Sequence, residues 1–394
     1  MSASSATVSR WTRLFVLAGL GWFVCWQAAV VAGIGRPAVV VGLYGFVLHT
    51  VFGKAYALVP SYFDRALAFP RAPAVHFPLA VLGTAAVAGE AVGLVPTLWG
   101  TTGAALWAFG CLVFVGTLVW SVRDNLSGSE TGTSDAKADR RRVDRFANAF
   151  VPVALGYLLV GSVLSLDVGF GPPPTGGPPV THLFAAGTAA LLVFTLGFRL
   201  LPRFLVVTPR WPLVAVVLPA GAAGPLLLAT AFGGGGWFHL GAGVQALALL
   251  GFAVAYVDMF LRSDRRRIGL YTVVVAAVAA AGVALFGVHM AVEGISSGVA
   301  AAHARLALLG FLGLAVVGVQ YQFYPPTVAS ALGVDDRTAG VAVALLAVGV
   351  VAEGGGLLVG AEAAVEGGRW LALAGAIAHA VVLLAVFWTR RNRR

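Results

Sequence analysis

A chain of 394 residues that is 59% hydrophobic and only 11% charged, with a mean hydropathy of +0.90, does not describe a water-soluble surface; it describes an integral membrane protein. The only cysteines, Cys25 and Cys111, lie in apolar runs, which excludes a disulfide framework, Cys-ligated zinc and a Cys-bound iron–sulfur cluster, and no Cys-x-x-Cys-His motif occurs. The formal charge of +10 does not signal nucleic acid, because the basic residues stand at the ends of hydrophobic segments, where charge sets orientation.

A helix needs about 20 apolar residues to cross roughly 30 Å of hydrocarbon. Twelve such stretches, separated by Pro, Gly or charge, run over 11–33, 38–60, 75–96, 100–122, 147–166, 181–202, 211–231, 237–262, 268–290, 300–324, 338–360 and 369–389. The fold class expected is all-α, a polytopic membrane protein of twelve transmembrane helices. Lys and Arg collect on the cytoplasmic side, so the loops test the count. Arg10 and Arg13, Arg65 and Arg71, Arg123 to Arg145, Arg203 and Arg210, Arg262 to Arg267, Arg337, and Arg390 to Arg394 all fall on one side, and the other side holds little beyond Arg36 and Arg369. Both termini are therefore expected in the cytoplasm, with the chain multi-pass in the plasma membrane. The first segment is too long for a signal peptide and lacks a small-residue cleavage site, so it counts as a span. Residues 123–146 read as a solvated, mobile cytoplasmic linker, and the stretch GFGPPPTGGPPV before His182 as a non-helical cap on the outer face.

Spans two, six and ten share a frame when aligned on Pro60, Pro202 and Pro325. Fifteen residues before each stand Gly45, Gly187 and Gly310; seven residues before stand Gly53, Thr195 and Gly318. Small residues at such positions also serve helix packing alone. The following spans repeat more weakly, as AVAGEAVGL around Glu90, AGAAGPLLL around Pro225 and VAEGGGLLV around Glu353. Three units of four helices make twelve. The expected organisation is a first four-helix arc over 1–122, the linker 123–146, a second arc over 147–267, and a third over 268–394 with a basic tail.

Ionisable groups in hydrocarbon cost roughly 2.5–3.5 kcal/mol each on insertion scales, so each invites a functional reading. His182, His239, His289 and His303 all fall at the outer ends of their spans, and His182 and His303 lie twenty and twenty-two residues before their prolines. Neutral imidazole ligates haem iron or copper, and four converging imidazoles would make such a site; the plainer reading is four separately wetted interface histidines. His49 and His379 lie nearer mid-membrane, where hydrogen bonding to a neighbouring helix suffices, and His76 reads as interfacial. Glu90 and Glu353 occupy matching positions in spans three and eleven, as proton carriers, as acceptors orienting ligand imidazoles, or as protonated hydrogen-bonded acids. Arg305 lies about 200° around the helix from His303 and pairs either with Glu293 or with a haem propionate. At the inner ends, Tyr56, Gln320, Tyr321, Gln322 and Tyr324 read most simply as an interface belt, with a quinone pocket as the lesser alternative.

A twelve-span chain built as three four-helix arcs, with histidines on the second helix of an arc, resembles subunit I of the haem-copper oxidases. Its helix pattern is similar to that of the NnrS family, small relatives linked to the nitric-oxide response and described as haem- and copper-containing. That family's motif is a His-x-His-Glu-like start, a glycine, a second small residue and a closing proline near the inner face. His182-LFAA-Gly187 running to Pro202, and His303-ARLALL-Gly310-FLGLAVV-Gly318 running to Pro325, look like that motif with one histidine of the pair each. Span two keeps Gly45, Gly53 and Pro60 but has Ala38 and Val40 where the pair would stand. The resemblance implies His303 as an iron ligand, His182 as a copper or second axial ligand, His239 and His289 as supporting ligands, and a b-type haem with copper as a second candidate cofactor. A respiratory oxidase would carry tandem histidines in span seven and His-x-His in span ten; VAVVLPAGAAG has none and span ten has only His303, so a proton-pumping terminal oxidase is not expected.

The function expected is haem binding, with copper as an addition, in redox chemistry, nitric-oxide response or metal handling, and so an oxidoreductase if an enzyme. Its partners would be the lipid bilayer and an electron donor or small gaseous ligand. Two rivals remain: a secondary transporter using Glu90 and Glu353, and a degenerate scaffold that binds nothing. A transporter lines a path through the midplane, whereas here the polar groups crowd the outer half, with only Asp258 evident in the inner half.

Overall fold

The structure is a computed structural model that describes residues 3–166, 177–329, 331 and 333–392. It is helical throughout, with no strand among the described residues, and has 12 helices long and apolar enough to cross a membrane. Spans 1 to 6 are Thr7–Val31, Ala38–Tyr62, Ala72–Ala91, Thr97–Val122, Asp135–Leu164 and Pro178–Leu205. Spans 7 to 12 are Trp211–Thr230, Gly235–Leu261, Ile268–Glu293, Ser297–Val328, Asp336–Val359 and Glu362–Asn392. All twelve expected segments are present. With an even number of crossings the two ends of the chain share one face, here called the terminal face.

The edges differ in instructive ways. The α-helix of span 5 starts at Arg141, ahead of the expected 147, because Asp144 and Asn148 find partners on neighbouring elements. Span 12 starts at Glu362, seven residues early, because Arg369 pairs with an acid on span 11. Pro60 and Pro202 lie inside the last turn of their helices, which run on to Tyr62 and Leu205, whereas the third helix stops at Phe323 before Pro325. A proline so near a helix end removes few backbone bonds. Of the Gly/Pro stretch before His182, residues 169–176 lie outside the described residues; its last three, Pro178–Val180, open a helix, proline being suited to that first turn.

Packing repeats with a period of four spans. Spans 3 with 4, 7 with 8, and 11 with 12 form closely packed hairpins. Spans 1, 5 and 9 each pack on the following span, and also on spans 12, 4 and 8 respectively, which closes the ring. The second helix of every unit carries an eight-residue π-helical stretch: Val41–Leu48, Leu183–Ala190 and Leu306–Gly313. Each begins nineteen residues before its proline, and Gly45, Gly187 and Gly310 are each the fifth residue of their stretch. The three stretches touch one another pairwise at the middle of the molecule.

Glycine there is required by proximity. A Cβ at Gly45 would sit 2.7 Å from Trp22, at Gly187 2.5 Å from Tyr157, and at Gly310 3.0 Å from Ala279, in each case a residue of the unit's own first helix. The wider π turn needs an acceptor exchange of one residue along the helix, and side chains take up part of the slack: Thr188 Oγ1 donates to the Leu183 carbonyl at 3.2 Å, and His49 Nδ1 bonds the Tyr44 carbonyl at 2.7 Å.

The 123–140 segment is mostly exposed, as expected, but is fastened to the terminal face at a few points. Arg199 on span 6 donates to the carbonyls of Tyr62 (2.6 Å) and Thr131 (2.8 Å) and to the Asn148 side chain, and its guanidinium lies over the Tyr62 ring. Asp144 takes Arg203 at 2.7 Å and Thr133 at 2.5 Å, and Asn125 donates to the Phe63 carbonyl at 2.9 Å. Composition marked this segment as polar; a buried arginine supplies the donors that fasten it.

Glycine substitutions test the close approach. Gly187→Ala must displace the Tyr157 ring and is expected to cost about 1–3 kcal/mol, read as lowered thermal stability in detergent. Gly156→Ala, with nothing within 4 Å of the added methyl, is expected to leave stability unchanged or raised.

Candidate metal centre

The second helices of units two and three bring His182 and His303 together on the face opposite the termini. Their ring centroids are 6.5 Å apart and the ring planes 21° from parallel. His182 Nδ1 bonds the Pro178 carbonyl at 2.7 Å, one helical turn back. A carbonyl only accepts, so Nδ1 carries the proton and Nε2 keeps its lone pair, the arrangement in which a backbone oxygen orients a ligand imidazole. His303 Nδ1 is buried with no hydrogen-bond partner. Gly287 on span 9 leaves room beside it: a Cβ there would lie 3.5 Å from the His303 ring. The Phe232 ring, 5.3 Å from His182, closes another side.

The other two outer histidines do not join the pair. His239 and His289 are exposed at the ends of spans 8 and 9; His239 Nδ1 is held by the Gly235 carbonyl of its own first turn at 2.7 Å. Of the four outer histidines expected to converge, the structure brings the rings of His182 and His303 together, while His239 and His289 have exposed side chains. No group of three or more His, Cys, Asp or Glu side chains placed to hold a metal ion occurs among the described residues.

Next to the pair lies an ionic cluster. Arg305 does not pair with Glu293, which is exposed; its Nε donates to Glu353 Oε2 at 2.6 Å, and Nη2 donates to Gln27 Oε1 at 3.0 Å. Arg369 donates to the other Glu353 oxygen at 3.1 Å, and the Trp26 ring lies 5.4 Å from the Arg305 guanidinium carbon. Glu353 is 2% exposed, so its charge is held by two cations rather than by water. Arg305 Nη1 and Gln27 Nε2 remain buried without partners. Glu90, at the matching position of unit one, is half-buried and forms no ion pair among the described residues. The difference is that Arg305 and Arg369 have no counterparts near it.

Towards the terminal face, a second set of polar side chains is buried where an interface belt was expected. His379 Nδ1 bonds Tyr321 Oη at 2.9 Å and Nε2 bonds Gln320 Oε1 at 2.8 Å; Gln320 in turn reaches Thr50 at 3.5 Å. His76 is fully buried rather than interfacial: its Nδ1 meets Tyr56 Oη at 3.1 Å, against Phe15, Phe52 and Phe114. His49 Nε2 and His76 Nε2 have no partner. Gln27 and Arg369 were missed in the sequence; the signal available was that Gln27 is a lone amide inside an apolar span. No protein-family model and no curated protein matches the chain.

Charge balance at Glu353 gives a prediction. Glu353→Ala leaves the part-buried Arg305 and Arg369 guanidinium groups without their shared acid and is expected to destabilise by about 3 kcal/mol, measured by denaturant or thermal unfolding in detergent. Arg369→Gln, at a more exposed side chain whose partner keeps Arg305, is expected to cost well under half of that.

Proposed function

We propose that this chain is a membrane protein of oxidase-like architecture, three four-helix arcs around a centre, in which His182 and His303 grip one redox-active metal, haem iron or copper. The observation that carries the reading is the convergence of two imidazoles from separate units at 6.5 Å between centroids. At metal–nitrogen bonds of about 2 Å, rings at that separation would leave room for one ion held by both imidazoles. A donor set of two neutral imidazoles suits iron or copper and not magnesium or calcium, which take oxygen ligands. The unpartnered His303 Nδ1 and the backbone-oriented His182 fit that role.

Bound there, such a centre supplies one-electron exchange with a donor or the capture of a small gaseous ligand. The chain's own part is to orient the two rings, to keep Phe232 and the packed helices around them, and to place the positive Arg305 cluster beside them. Repetition of the π-helical frame in all three units supports the arc architecture, and the basic terminal face supports a plasma-membrane protein with cytoplasmic termini. Glu353, fixed by two guanidinium groups, lacks the freedom that a transporter's proton-carrying carboxylate needs, so the transporter reading is the weaker one.

The test is an optical spectrum with a pyridine haemochrome assay and copper analysis on protein purified after haem- and copper-replete expression. A Soret band or near-stoichiometric copper, lost in both His182→Ala and His303→Ala but kept in His239→Ala, is the expected result. Protein that folds yet holds neither haem nor copper overturns the reading.

A further inference from the structure

Two neighbouring cavities share the side chain of Lys54 in their walls. One, of about 100 Å³, lies between spans 2, 6 and 10 and is almost wholly apolar. It follows the repeat frame: Lys54, Leu196 and Val319, each six residues before the proline of its helix, all line it, as do Thr50, Leu192 and Ala315, each ten before. The other, of about 570 Å³, opens towards the terminal face between the ends of spans 1, 2, 10 and 12, with Arg13, Lys54, Arg65 and Arg390 in its wall and no acidic residue. Lys54, Leu58 and Phe323 line both.

Three of the four cations of the larger cavity, Arg13, Lys54 and Arg390, have no carboxylate partner among the described residues. Lys54 Nζ donates to Tyr324 Oη at 2.9 Å and lies 4.0 and 4.2 Å from the Phe323 and Tyr324 ring centroids, with no carboxylate partner among the described residues. Arg390 donates to the Phe323 carbonyl at 3.2 Å and stacks on Tyr324, again without an acid, and Arg13 has no ion pair among the described residues. Only Arg65 is satisfied, by Asp124 at 3.0 Å and Glu130 at 2.6 Å. A lysine inside a span, solvated by ring faces and one hydroxyl, is costly to keep charged unless an anion joins it.

We propose that the two cavities together bind a phosphate-headed amphiphile, its head group held by Arg13, Lys54 and Arg390 and its apolar chain directed past Lys54 into the central cavity. Basic pockets between transmembrane helices on the Lys/Arg-rich side are suited to phospholipid head groups. A free phosphate would use the cations but leave the adjoining apolar space unfilled. This proposal does not draw on the histidine pair.

The experiment uses the full chain, stripped of lipid in detergent, and measures binding of phosphatidylglycerol, phosphatidylcholine and inorganic phosphate at low salt. Phosphatidylglycerol is expected to bind in preference to phosphatidylcholine and to resist displacement by millimolar inorganic phosphate. Removing one cation is expected to weaken it about fivefold, and Lys54→Met with Arg390→Gln about twenty-fivefold, while Lys54→Arg keeps most of the affinity. Leu196→Trp, which fills the apolar cavity without changing charge, is expected to weaken the lipid and to leave phosphate binding as it was. Equal binding of both lipids, full displacement by inorganic phosphate, or undiminished binding in Leu196→Trp overturns the proposal. The lipid comparison and the competition are read on the wild-type chain, so they decide the matter even where a charge variant fails to fold.

Discussion

Inside a bilayer a helix gains little from burying leucine, since lipid tails are as apolar as the neighbouring helix, and association rests on how closely backbones can approach. In this protein that approach is set at one position of the repeat, the fifth residue of each π-helical stretch, where Gly45, Gly187 and Gly310 let the second helix of a unit lie against the first. The three second helices are thereby brought into mutual contact, and everything of chemical interest is carried on them or faces them. The hairpins at the periphery use the same device: a Cβ at Gly83 would lie 2.8 Å from the Trp107 backbone nitrogen, and one at Gly349 2.7 Å from that of Ala372.

On this common frame the units differ in what they display. Units two and three present His182 and His303 at one end of the central trio, while unit one presents Lys54 towards the other, where its counterparts are Leu196 and Val319. The metal-binding reading and the amphiphile reading thus concern opposite ends of one axis, with the apolar core of Phe194, Phe252 and Phe311 nearby. Charges follow the same economy. Glu353 sits in a clamp of two arginines, whereas the chemically identical Glu90 stands half-buried, because only unit three carries the cations.

Much of this was legible from the residues. Twelve apolar stretches of bilayer length, the alternation of Lys and Arg between loops, and the shared spacing of glycine and proline in spans two, six and ten led to the helices and their period. The spacing of His182 and His303 relative to their prolines led to the one pair that the structure brings together. His239 and His289 also stand at the ends of their spans but are exposed, and a linear sequence carries depth far better than the direction in which a side chain points. The burial of His76, Tyr56 and Gln320 was missed for the same reason: polar residues near a span end look like an interface belt until another helix covers them.

By itself the sequence determined that this is a twelve-helix membrane protein with a repeated unit, because hydrocarbon thickness imposes a length and helix contact imposes a spacing of small residues, and both are properties of a single strand of text. Only the tertiary structure decided which polar groups meet. That Arg305 takes Glu353 and Gln27 instead of Glu293, that Arg199 fastens the 123–140 segment, and that Lys54 lines two cavities all depend on partners 48 to 278 residues away. Such partners are chosen by the rotation of each helix about its own axis, which packing fixes and composition does not.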